Sequence, residues 1–202
     1  MKENAKVLVV ARDIMFKDGH WEGLKTENLD YYLDLIRNNF QFRKRREVET
    51  DPSWQQIIPY ILFNFEDKYF LYRYLEKAGE NRLKKDYHLG VAGHINLIDV
   101  KPGQDIIQTA AQREWEEEID YKGNLIEKKL IGILNDERRE VEAVHLGLIY
   151  VFKGDNPNIY VKEKEVLKGK MVRLGDLGEY IEGISNWAQI IFKEYLIKNE
   201  SI

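Results

Sequence analysis

Residues 110–121 read Ala110-Ala111-Gln112-Arg113-Glu114-Trp115-Glu116-Glu117-Glu118-Ile119-Asp120-Tyr121, with four glutamates in five positions. Ala111, Trp115 and Ile119 recur at helical spacing and predict a core face, while Glu114, Glu117 and Glu118 share the other side. Like charges crowded on one face repel unless a cation neutralises them. Carboxylate oxygens are the ligands that hard Mg²⁺ or Mn²⁺ prefers, so the helix is predicted to hold a divalent metal. It is expected to span residues 105–119, with Asp105 as N-cap or first-turn acid.

The pattern on both sides of this helix is that of strands. Residues 56–65 and 68–74 are β-rich runs joined by Glu66-Asp67 as in a hairpin, and a polar stretch, 76–86, reads as a loop. Residues 88–95 carry Gly90 and Gly93 in an extended segment, which suits close backbone approach. Pro102 and Gly103 break the chain before the helix. Downstream, 128–134 and 144–152 read as strands around the polar 135–142, followed by short extended pieces at 159–161 and 171–174. Helices are predicted over 177–184 and 187–197. At the start, residues 7–11 read as a buried strand, and a helix begins at Asn28 or Asp30. Strands before and after one helix, then a helical end, predict an α+β fold, a mixed α/β sandwich and not an alternating doubly wound sheet. The 202 residues suit one domain: residues 1–50 as an N-terminal extension packed on it, and 51–202 as the main body.

With Gly93 upstream, the stretch Arg113-Glu114-Trp115-Glu116-Glu117-Glu118 resembles the signature of the Nudix hydrolase family, including its MutT-like members: G-x5-E-x7-R-E-U-x-E-E-x-G-U, with U apolar. The R-E-U-x-E-E half matches position by position. Taking Asp105 as the acid leaves eleven residues after Gly93 where the pattern has five, which reads as a six-residue loop insertion. Asp120 stands where the pattern has Gly, a place for left-handed backbone that Asp tolerates. The resemblance implies a Nudix-type α/β/α sandwich and Mg²⁺- or Mn²⁺-dependent hydrolysis of a diphosphate linkage in a nucleoside diphosphate derivative. It implies Glu114, Glu117 and Glu118 as metal-binding or catalytic carboxylates, and the Ala92 carbonyl as a further metal ligand. Arg113 is implied to orient the glutamates, with Asp105 as its expected partner. Glu165 is the expected downstream metal ligand, with Glu163 as rival and Glu137 or Glu142 behind them. Gly93, His94 and Arg73 are the candidate substrate contacts.

Plainer readings stand beside these. His94 suits a structural hydrogen bond, His145 a satisfied core histidine, and Arg73 an outward charge on an alternating strand. Arg43-Lys44-Arg45-Arg46 suits a solvated face, and Trp54 and the tyrosines suit core. The absence of cysteine excludes thiolate chemistry, including that of isopentenyl diphosphate isomerase, which shares the Nudix fold. A net charge of −4 gives no broad basic footprint, so stable nucleic-acid binding is not expected. No apolar run spans a bilayer and none follows the charged start, so a cytoplasmic protein is expected, with a homodimer implied only by resemblance. The competing reading is a catalytically weak or inactive Nudix-like nucleotide-binding or sensor module, but such proteins usually lose the helix glutamates that this chain keeps.

Overall fold

The computed structural model describes residues 5–75 and 87–199, so the loop expected at 76–86 lies outside the described residues. The chain begins with β1 (Lys6–Ala11), α1 (Arg12–Met15), β2 (Gly23–Lys25), α2 (Leu29–Asn39), β3 (Gln41–Lys44) and α3 (Arg45–Val48). Next come β4 (Trp54–Phe65), β5 (Lys68–Tyr74), β6 (Tyr87–His88), β7 (Gly90–Ala92), α4 (Ile106–Glu118) and β8 (Ile119–Tyr121). Then follow β9 (Leu125–Asn135), α5 (Glu140–Ala143), β10 (His145–Gly154), β11 (Ile159–Val161) and β12 (Leu167–Arg173). A 3-10 stretch, Leu174–Gly183, leads to α6 (Asn186–Ile191), a π turn over Phe192–Leu196 and α7 (Ile197–Asn199). Among the described residues, ten strands belong to one sheet whose main path is β12-β5-β4-β10-β9-β2, while β8 pairs with β11. This is the mixed α+β architecture the sequence pattern predicts. No helix among the described residues is long and apolar enough to cross a membrane.

Contacts group the chain into two compact units, and β4, β9, β10 and α4 contribute residues to both. The first contains Met1–Tyr60, Ala92–Arg113 and Leu130–Ile149. Val7, Leu8, Val9 and Val10 are all at most 1% exposed, so β1 is buried on both faces, as its unbroken run of apolar residues requires. It pairs antiparallel with β3 and with the start of β4. The Leu8 amide donates to the Ile95 carbonyl at 2.9 Å and Val7 bridges to Asn96, so this strand also fixes the segment that follows β7. Val7, Val9 and Val48 cluster beneath Trp54. At β2 the backbone needs room: a Cβ on Gly132 would lie 2.6 Å from Leu24 and 3.0 Å from the Lys25 carbonyl.

The second unit contains Ile61–Val91, Glu114–Lys129 and Tyr150–Ile202. Here β5 pairs antiparallel with β12 along its whole length and with β4 through Phe65↔Lys68, which closes the expected hairpin. The turn residue Glu66 takes a left-handed φ of 52°, and the Asn64 amide donates to its carbonyl at 2.8 Å. An aromatic core joins Trp115 to Phe63 at 5.7 Å and to Phe152 at 5.4 Å between ring centroids. Gly154 lets these rings close up, since a Cβ there would lie 2.6 Å from the Phe63 ring and 2.3 Å from the Tyr121 hydroxyl.

One polar clamp ties the start of the first unit to the end of β9. Glu137 accepts hydrogen bonds from Arg12, from His20 at 2.7 Å and from Asn135 at 3.0 Å. Partial burial alone would raise its pKa, but the bonds from Asn135, His20 and Arg12 outweigh that and hold it at about 2. The folded value lies below the ordinary 4.5, so the clamp's stabilisation is fully present above that pH and fades as pH falls towards 2. Glu137→Gln is therefore expected to lower the urea unfolding midpoint at neutral pH, with the gap to wild type closing below pH 4.5. A gap that does not change with pH would contradict the clamp.

Candidate functional site

The helix α4 forms because Asp105 caps it: its carboxylate accepts the Gln108 amide at 2.9 Å and its carbonyl the Thr109 amide at 2.9 Å. Ile107, Ala110, Ala111, Trp115 and Ile119 are all at most 5% exposed, which bears out the apolar face. On the other side Glu117 is exposed and Glu118 half-buried, whereas Glu114 is only 7% exposed. Glu114 precedes Trp115 and follows Ala111 by one turn, so it sits at the border of the core face and not in the open wall that its charge suggests.

Arg113 corrects the expected pairing. Its Nε and Nη2 reach the two oxygens of Asp99 at 2.7 and 2.9 Å, and Nη2 also donates to the His94 carbonyl at 3.0 Å. Asp105 instead accepts from Arg37 at 2.7 Å. Asp99 is 1% exposed and also accepts the Asn96 amide at 2.8 Å, closing a capping box on the 3-10 turn Leu97–Asp99. Exactly five residues separate Gly93 from Asp99, the spacing of the family pattern, so the acid of the signature is Asp99 and the six extra residues follow it. That spacing is the signal in the sequence that points to it. Asp105 stands where an acid is favoured on other grounds, at the start of the helix it caps.

The remaining candidates occupy distinct places. Ala92 ends β7 and Gly93 follows it, in the first unit. The His94 ring nitrogen Nε2 bonds Gln56 Oε1 at 2.9 Å, the structural bond anticipated for it. Burial, then the charges of Arg45 and His145, push its pKa down to about 3, so the ring is neutral at physiological pH. His145, 9% exposed, bonds the Val141 carbonyl and is satisfied as expected. Arg73 lies on β5 opposite Lys168, its guanidinium 5.5 Å from the Tyr87 ring. Arg43 lies 3.8 Å over the Trp54 ring, so part of the basic run is packed and not merely solvated.

In the second unit, Glu163 and Glu165 are exposed beside the turn before β12. That turn is tied to the end of α4: Val161 pairs with Ile119, the Lys162 amide donates to the Glu118 carbonyl at 2.8 Å, and Lys164 lies 3.7 Å from Asp120. Asp120 is extended within β8 and is not the left-handed residue its place in the signature suggests, because the chain passes straight from helix to strand. Glu137 is held by the Arg12 clamp, and Glu142 lies 3.8 Å from Arg139.

Removing Asp99 deletes the two-point carboxylate partner of the mostly buried Arg113, whereas removing Asp105 costs a cap and a more exposed pair with Arg37. Asp99→Ala is expected to destabilise the fold by about 3–5 kcal/mol, against about 1 kcal/mol for Asp105→Ala, by equilibrium denaturation. Equal losses would return the pairing to Asp105.

No family model matches the chain. Over 201 residues it is 29% identical to the protein YmaB of Bacillus subtilis (strain 168), across 94% of this chain and 97% of that one. Tm1382, whose crystal structure is described as that of a candidate Nudix hydrolase, is similar with a TM-score of 0.81 at 26% identity, covering 96% of this chain and 99% of that one. From that full-length likeness and the signature carried on α4, the chain has the fold of the Nudix hydrolase family.

Proposed function

We propose that the chain is a Nudix-type hydrolase that uses Mg²⁺ or Mn²⁺ to cleave a diphosphate linkage in a nucleoside diphosphate derivative or a similar small phosphorylated substrate. The observation that carries this reading is α4 itself, with Trp115 and Ile119 sunk into core while the exposed Glu117 and half-buried Glu118 accompany the buried Glu114. The three side chains offer only carboxylate oxygens, the donor chemistry of a hard divalent ion, so Glu114, Glu117 and Glu118 fit as its holders. Bound there, the ion offsets phosphate charge and lowers the pKa of water.

The chain's own residues supply the rest. Asp99 and the His94 carbonyl fix Arg113, and with it the phase of the helix that bears the glutamates. A carboxylate takes the proton of the attacking water. Glu114, sheltered beside the core, and Glu165, on the exposed turn tied to the end of α4, are the two groups proposed for that task.

A metal-supplemented panel of nucleoside diphosphate derivatives is expected to yield phosphate or monophosphate release with at least one substrate. Glu117→Gln and Glu118→Gln are each expected to cut turnover by orders of magnitude. For Glu117, which is exposed, stability is expected to change by no more than about 0.5 kcal/mol. Nucleotide binding by calorimetry without turnover on any substrate would replace the hydrolase with a binding module.

A further inference from the structure

The first unit contains a group of side chains that the hydrolase reading does not use as a set. Glu49 follows α3, His94 follows β7 and His145 opens β10, so three separate elements converge on one place. One ligand atom from each lies within 4.8 Å of the other two. An acid and two imidazoles this close together supply the nitrogen and oxygen donors a transition-metal ion takes.

The hydrogen bonds decide which ring nitrogens are available. Gln56 turns its amide nitrogen to the Val48 carbonyl at 3.5 Å and its Oε1 to His94, so His94 Nε2 is the donor of the 2.9 Å bond between them. That leaves His94 Nδ1 bare. His145 Nδ1 lies 2.5 Å from the Val141 carbonyl, which only accepts, so this nitrogen carries the proton and Nε2 is bare. Each imidazole is thus anchored through one N–H to a fixed oxygen, the arrangement by which proteins orient metal-ligating histidines. The rings meet edge to face at 5.4 Å between centroids, so they do not stack over each other's nitrogens.

Charge in the neighbourhood is balanced. Glu49 is paired with Arg45 one helical turn back through Oε1, which leaves Oε2 to a cation. Arg45 opposes a cation, and the carboxylates of Glu49 and Glu142, which both act on His145, favour one. Imidazole with a carboxylate selects borderline transition metals over the hard ions suited to an all-carboxylate set.

We propose that Glu49, His94 and His145 form a binding site for a transition-metal dication of the Zn²⁺ class, tying α3, the segment after β7 and β10 together. Three protein ligands leave one position of a tetrahedral ion open. The site does not depend on hydrolysis, and its test uses protein in which the α4 glutamates cannot contribute.

The experiment is equilibrium dialysis of Zn²⁺ against full-length protein carrying Glu117→Gln and Glu118→Gln, with thermal unfolding followed in parallel. One equivalent is expected to bind and to raise the unfolding midpoint. Adding His145→Asn keeps a donor for the Val141 carbonyl but deletes the bare nitrogen, and is expected to weaken binding at least tenfold. Glu49→Gln, at a half-buried side chain that tolerates the change sterically, is expected to do the same, which covers the case in which the histidine variant fails to fold. Arg45→Gln is expected to tighten binding by removing the opposing charge. Failure of the α4 double variant to take up zinc, or uptake unaffected by both His145→Asn and Glu49→Gln, would overturn the proposal. Neither result touches the hydrolase reading, which stands or falls on the substrate panel.

Discussion

The ion pair between Arg113 and Asp99 is the constraint around which the signature segment is arranged. A guanidinium carries its charge at any physiological pH, and in a site this enclosed it is tolerable only beside a carboxylate with matching geometry. Asp99 offers that geometry because the capping box on its 3-10 turn presets its side chain, and the turn is itself anchored by β1 through the Ile95 carbonyl and Asn96. The chain of dependence thus runs from an N-terminal strand, through a short turn, to the rotation of a helix. Arg113 and Glu114 are consecutive, so whatever sets the angle of one sets that of the other.

Trp115 plays the complementary part. Packed against Phe63 and Phe152, it removes the freedom of α4 to roll about its axis. Carboxylates placed so close together tend to splay apart. A polar pin on one residue and an aromatic pin two residues later oppose that tendency by fixing the helix itself.

Much of this was legible in the residues alone. The long strands β4, β5 and β10 announce themselves as β-branched and aromatic runs, and α4 as a period of four. What escaped was short or charged. In Gln41-Phe42-Arg43-Lys44 three of four residues are polar, yet β3 forms because β1 offers it a ladder, a tertiary partner that no local pattern reveals. Gly23–Lys25 is too brief to show a period. Ile119 reads as helix by spacing but becomes the first residue of β8 because Val161 pairs with it. The span 177–184 keeps a helical appearance, but 177–183 wind as part of a 3-10 stretch and Ile184 bridges to Tyr87, distinctions set by hydrogen-bond register and invisible in composition. Asp99 lay within reach of the spacing argument, whereas the convergence of Glu49, His94 and His145 required the fold, since 96 positions separate its first and last members.

The six residues between Asp99 and α4 have a consequence of their own. They run between two fixed posts, the Arg113-bound carboxylate on one side and the Asp105 cap on the other, with Gly103 taking a left-handed φ of 72° in open space between them. A loop moored at both ends can change length at small entropic cost, because closure depends only logarithmically on the number of links. The length of this hinterland is therefore decoupled from the acidic helix, and residues can be added to or removed from it without moving either post.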